Sequence, residues 1–209
     1  MILSLLTLDK EAIKRLRVFD AYGVHRVVYD LFPLVEGNAG MQRDFLFYEI
    51  ERKIDKKVLI LSQRRPQVPL IGSIELRTLP DEYFDFDTYR FQVLLNPVLK
   101  RTGSSVLEAI RGTENLFQWF LGRASSHGFE VDENSLNVSG EGVQRFKKGK
   151  NVVTNNRAQF NGVLRVKDKS SFKRSAFEGI GRGKAFGFGL LQLVPVQKIY
   201  VEKGEKNEQ

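Results

Sequence analysis

The alternation of apolar and polar positions divides the chain into short elements of mixed type. Ile2 to Leu8 is an apolar run that reads as a first strand, and Lys10 to Leu31 carries apolar residues at helical spacing. That helical stretch is broken near Asp20-Ala-Tyr-Gly23 and stopped before Pro33. Asp44 to Glu51 alternates with period two, Lys57 to Ser62 is again apolar, and the turn at Arg52 to Lys56 makes them a hairpin. Arg64 to Tyr83, interrupted by Pro66, Pro69 and Pro80, reads as irregular; Tyr89 to Leu95 reads as a strand closed by Asn96-Pro97. This is β-α-β-β-(irregular)-β, the order of a ferredoxin-like half.

A second round follows. Val106 to His127 places Leu107, Ile110, Leu116, Phe117, Phe120 and Leu121 at helical spacing, and Phe129 to Val138 is strand-like. Val143 to Val153 predicts a basic hairpin around Lys148-Gly149-Lys150, its returning arm running to Val166. Ser171 to Ile180 reads as a short helix capped by Ser170, and Leu190 to Val194 as the last strand. The expected class is therefore α+β, two tandem ferredoxin-like domains over residues 1–100 and 101–197, with a disordered charged tail at 198–209.

Composition narrows the chemistry. An apolar fraction of 42% with 16 Phe supports a full core. No 18-residue apolar span and no cleavable leader are read, so neither a membrane partner nor export is expected. The absence of cysteine removes disulfides and thiolate metal sites, and two histidines alone do not build a zinc site. A cytoplasmic protein with no cofactor and no metal is the expectation.

Charge adds direction. Val143 to Lys184 holds twelve Lys or Arg against Asp168 and Glu178, a net +10 in a chain whose total is +8. Such a block binds phosphate by displacing counterions; the bland alternative is a basic surface without a task. Within it lies Gly179-Ile-Gly-Arg-Gly-Lys-Ala-Phe-Gly-Phe-Gly189, five glycines in eleven residues. Glycines permit positive φ, so several backbone N–H groups can turn toward one anion, with Arg182 and Lys184 beside them. Neither common nucleotide motif fits: Glu178 and Ala185 stand where a Walker loop needs Gly and Ser or Thr, and Phe186 replaces the third glycine of the dinucleotide fingerprint. A glycine turn needed only for close packing is the competing reading. Nucleic acid is the expected partner.

At these residues the chain resembles the CRISPR repeat-processing endoribonucleases, most closely the CasE type, the repeat nuclease of Cascade-like complexes. The glycine loop at 179–191 carries the resemblance, together with Tyr22-Gly-Val-His25-Arg-Val-Val-Tyr-Asp-Leu-Phe-Pro33, Arg43-Asp-Phe-Leu-Phe47 and Phe91-Gln-Val-Leu-Leu-Asn-Pro97. The likeness implies two tandem ferredoxin-like domains that bind a CRISPR repeat hairpin. It implies one metal-independent cut at the base of the stem, leaving a 2′,3′-cyclic phosphate and a 5′-hydroxyl. It further implies partnership with other subunits of an effector complex, and a catalytic histidine preceded by a tyrosine, here His25 and Tyr22.

Those two residues suit the chemistry independently. Attack by a 2′-hydroxyl needs proton transfer at two oxygens, which an imidazole titrating near neutrality can serve. Three residues apart on a helix, Tyr22 and His25 share a face. Arg26 or a lysine of the basic block is expected to stabilise developing charge. Arg145, Lys147, Lys148 and Lys150 on the hairpin, with Arg157, are expected against the RNA backbone, supplemented by Lys173 and Arg174. Gly179, Gly181, Arg182, Gly183 and Lys184 are expected to hold the backbone near the stem base. His127, before Gly128, reads as a helix-end residue outside the site. Without the resemblance, a lone His beside Val24 and Val27 reads as structural. Two other classes compete: a repeat-RNA-binding subunit without cleavage, and an unrelated RRM-like module, for which the required aromatic spacing is missing.

Overall fold

The computed structural model describes residues 1–33, 43–50, 52, 54–100, 103 and 106–196. The tail expected at 198–209 lies outside them. Strand β1 (Ile2–Leu8) leads through Asp9 into helix α1 (Lys10–Leu16), whose first turn is capped by the Asp9 carboxylate on Ala12 N–H at 2.8 Å. Helix α2 (Ala21–Asp30) follows, and β2 (Phe45–Ile50), β3 (Lys56–Ser62) and β4 (Ser73–Thr78) complete an antiparallel sheet in the order β2-β3-β1-β4. Alternation on β2 explains its two faces. Phe45 and Phe47 join a core with Leu6, Leu8, Val58, Ile60 and the buried faces of α1 and α2, while Leu46 and Tyr48 enter a second core on the other side.

The second sheet contains β5 (Thr88–Leu95), β8 (Phe129–Val131), β9 (Asn137–Lys148), β10 (Asn151–Val166) and β11 (Gln192–Pro195), in the order β11-β5-β10-β8 with β9 on β10. A small ribbon of β6 (Val98–Lys100) and β7 (Leu107–Ala109) lies beside it; α3 (Thr113–Ala124) and α4 (Lys169–Glu178) pack on it. Both four-strand orders are those of ferredoxin-like sheets, and the fold is α+β with two of them. Tyr89, Phe91, Phe120, Phe129, Phe160 and Phe172 fill the second core, which is continuous with Leu46, Tyr48 and Leu61 of the first sheet.

Several expected elements are displaced. Thr88–Leu95 does not close the first sheet; it is the central β5 of the second, paired with β10 and β11. The closing place is taken by β4, within the stretch expected to be irregular, paired with β1 from Ile2–Thr78 to Thr7–Ser73. β4 is an edge strand with no fully buried residue, so its apolar signal is weak. The α3 helix begins at Thr113, and Leu107 belongs to β7. The interruption between α1 and α2 falls at Arg17 to Asp20, ahead of the expected position. The cap of α4 is Asp168, accepting from Ser171 N–H at 3.0 Å, while Ser170 donates to that same carboxylate at 2.6 Å.

Candidate active site

Helix α2 starts at Asp20, whose carboxylate accepts from Gly23 N–H at 2.9 Å. Gly23 is required by the turn before it: a Cβ there would lie 2.7 Å from Val18 Cα and 2.9 Å from the Arg17 carbonyl. That close approach seats α2 on the sheet through Val24, Val27 and Val28. The helical period then places Tyr22, His25 and Tyr29 along another face, all half-buried.

The glycine loop closes over that face. All five glycines from Gly179 to Gly189 have positive φ, between 73° and 90°. Packing accounts for two of them: a Cβ on Gly189 would stand 2.4 Å from the Ile180 carbonyl, and one on Gly179 2.8 Å from Leu46. The loop spends Ile180 N–H on Gly189 and Gly189 N–H on Leu94, at 2.9 and 2.8 Å, fastening both its ends. Between them a short turn, Lys184–Phe186, is pushed outward onto α2. Close packing of the loop and presentation of this turn to α2 are thus one geometry.

That turn orients the imidazole. His25 Nδ1 lies 2.9 Å from the Ala185 carbonyl. A carbonyl only accepts, so Nδ1 carries the proton and the neutral ring keeps its lone pair on Nε2. Aromatic rings hold the plane: Tyr29 at 4.0 Å, Phe186 at 5.2 Å and Tyr22 at 5.7 Å between centroids. Phe146 of β9 completes the cluster, 4.6 Å from Phe186 and 6.5 Å from Tyr22. Burial holds His25 below the usual histidine pKa. The Ala185 bond opposes that, the charges of Lys148 and Arg43 add to it, and Asp30 opposes it.

The hairpin contributes unequally. Register pairs Gln144, Phe146 and Lys148 with Asn155, Val153 and Asn151, one face of the β9–β10 ribbon. Phe146 and Lys148 reach the His25 cluster from that face, and Gln144 donates to the Phe186 carbonyl at 3.3 Å. Arg145 and Lys147 belong to the opposite, exposed face with Thr154 and Val152, and Lys150 is at the exposed tip. Arg157 stands half-buried on β10 opposite Gly142.

Other candidates are engaged elsewhere. Arg26 donates to the Leu16 and Arg17 carbonyls at 3.0 and 3.4 Å, capping α1 from the side. Lys173 pairs with Asp85 at 2.6 Å, and Arg174 donates to Ser171 Oγ at 3.3 Å, so the structure ties both to local partners. Arg182 and Gly181 are exposed on the loop, and Gly183 precedes the turn with φ of 85°. Lys184 is half-buried, and burial lowers its pKa, Glu178 opposing and Arg43 assisting. His127 lies 3.0 Å from Ser175 Oγ, linking the end of α3 to α4.

Sequence reasoning missed Tyr29, Arg43, Phe146 and Phe186. Tyr29 had a signal, four residues beyond His25 on the same helical face. Arg43 had none beyond its place in a shared block, because it reaches the site only through the start of β2. Among the described residues no group of three His, Asp or Glu is placed to hold a metal, and no helix is long and apolar enough to cross a membrane.

The model of the family described as "CRISPR associated protein" matches residues 1–195. The chain belongs to that family. The likeness of this CRISPR-associated protein to solved structures extends over its whole fold. The CRISPR endoribonuclease Cse3 bound to a 19 nt RNA matches with a TM-score of 0.79 at 18% identity, over 93% of this chain and 100% of that one. Cas6e from Escherichia coli K-12 matches at 0.72 and 21% identity, over 94% and 100%. A chain of a CRISPR RNA-guided surveillance complex matches at 0.69 and 22%, over 94% and 100%. No curated protein matches the chain in sequence.

Proposed function

We propose that this CRISPR-associated protein is an endoribonuclease that binds the hairpin of a CRISPR repeat RNA and cuts it once at the base of the stem. The observation that carries the reading is His25, its Nδ1–H on the Ala185 carbonyl and its Nε2 basic, set between the basic hairpin and the glycine loop. Nε2 takes the proton of the 2′-hydroxyl as that oxygen bonds to phosphorus. The bond from phosphorus to the 5′-oxygen breaks, and that oxygen leaves protonated from solvent. The products are a 2′,3′-cyclic phosphate and a 5′-hydroxyl, and no metal is needed for either transfer. Tyr22 orients the phosphate or the 2′-hydroxyl from the same helical face. Lys148 and Lys184 hold the backbone beside the ring, while Arg145, Lys147 and Lys150 hold the stem electrostatically. The likeness to a chain of a surveillance complex supports association with further CRISPR-associated subunits.

The test is cleavage of a hairpin RNA of the CRISPR repeat from the same genome, in EDTA. A single cut is expected, abolished by a 2′-deoxy sugar at the cut site. His25→Ala is expected to slow it by roughly 10²–10⁴-fold with binding kept. Cleavage that needs magnesium, or an alanine variant cutting at the normal rate, overturns this mechanism.

A further inference from the structure

Arg43 precedes β2 and lies half-buried. Its guanidinium carbon is 5.5 Å from the centre of the Tyr29 ring and 6.0 Å from that of Phe45, and Tyr29 itself lies 4.0 Å from His25. Arg43 Nε is buried without a hydrogen-bond partner, and the ion pairs seen among the described residues do not include Arg43. Leaving a buried guanidinium N–H without an acceptor is costly, and cation–π contact with two rings offsets only part of that cost. Lys148 acts on the same imidazole from the hairpin, and the ion pairs seen among the described residues do not include it. Two cations from distant segments, Arg43 and Lys148, therefore act on one ring, and the element missing beside them is an anion.

We propose that Arg43 binds a non-bridging oxygen of the scissile phosphate and stabilises the charge that builds there as the 2′-oxygen attacks. This rests on the ribonuclease reading above. The two rings fix the guanidinium plane before RNA arrives, so little reorganisation remains for the reaction. Its charge is permanent and its donors form a planar fork, which suits a phosphate oxygen and excludes a proton-transfer role. Arg26, the arginine adjacent to His25 in sequence, is held instead by the Leu16 and Arg17 carbonyls.

The experiment compares wild type, His25→Ala, Arg43→Ala and Arg43→Lys on the same repeat hairpin. It measures single-turnover rate, affinity for the 2′-deoxy analogue and unfolding temperature. A second arm places sulfur at each non-bridging oxygen of the cut site. Arg43→Ala is expected to cut about 100-fold slower at saturation, with affinity changed far less. One thio diastereomer is expected to slow wild type, and that extra slowing to vanish in Arg43→Ala. Arg43→Lys, which keeps charge but loses the fork, is expected to fold normally and cut roughly 10-fold slower; it decides the matter if the alanine variant does not fold. Rates within about threefold of wild type, a loss seen wholly in affinity, or an unchanged thio effect overturns the proposal. If wild type itself does not cut, the ribonuclease reading falls, and this role falls with it.

Discussion

His25 is a ring whose proton affinity is set by opposing neighbours, and the signs can be followed to a pH profile. Burial and the charges of Lys148 and Arg43 lower its pKa more than the Ala185 bond and Asp30 raise it. With the ring acting as base, kcat/KM is expected to be level at neutral pH and to fall only below the ordinary histidine value of about 6.5. Lys148→Ala removes a cation and is expected to move that acid limb to higher pH. An unmoved or downward-moved limb removes Lys148 from the ring's surroundings. Stability follows the same direction. His25 and His127 both have lowered folded pKa values, so the unfolded chain binds their protons more readily. Their contribution is complete above the unfolded value and is lost as pH falls from there through the folded values, which urea unfolding at pH 7 and pH 5 measures.

Among the elements, α2 and the glycine loop have separable requirements. Asp20→Ala removes the cap of α2 and is expected to cost about 1 kcal/mol, read as a lower urea midpoint at constant slope. Gly181→Ala meets only Leu95, at 3.8 Å, and is expected to cost about the 1–2 kcal/mol of a left-handed alanine. Gly189→Ala adds a collision with the Ile180 carbonyl and is expected to cost clearly more; equal losses refute the packing account. The sequence showed the existence of these elements better than their partners. Positive φ along the loop was legible because only glycine recurs so densely. The hairpin at Lys148-Gly149-Lys150 was legible because turn and alternation agree. Membership of Thr88–Leu95 was not, since a buried apolar strand looks the same in either sheet. β4 was obscured by exposure and neighbouring prolines, and Leu107 counted as helical because a three-residue strand has too few positions to reveal its period.

At the scale of the whole molecule, the charge block divides into two groups that composition had merged. Lys148 belongs to the surroundings of the imidazole, whereas Arg145 and Lys147 occupy the outer face of the ribbon. Replacing Arg145 and Lys147 together is expected to flatten the salt dependence of RNA affinity by about 0.7–0.9 per lost phosphate contact, with the saturated cutting rate unchanged. Lys148→Ala is expected to slow cutting even at saturation. If both variants behave alike, the two faces have no separate tasks. The candidate residues Tyr22 and His25 were visible through a shared motif, but only the fold shows what surrounds them. Arg43, Phe146 and Ala185 come from segments whose local sequence carries no mark of proximity.

The bond from His25 to Ala185 joins residues 160 positions apart. Synthesis must therefore run past Ala185 before the imidazole acquires its tether, and an amino-terminal fragment retaining α2 has the ring without its orientation. Nascent or truncated forms are in this way expected not to cut. Two separately produced fragments, divided between the sheets, should recover cutting only after they reassociate.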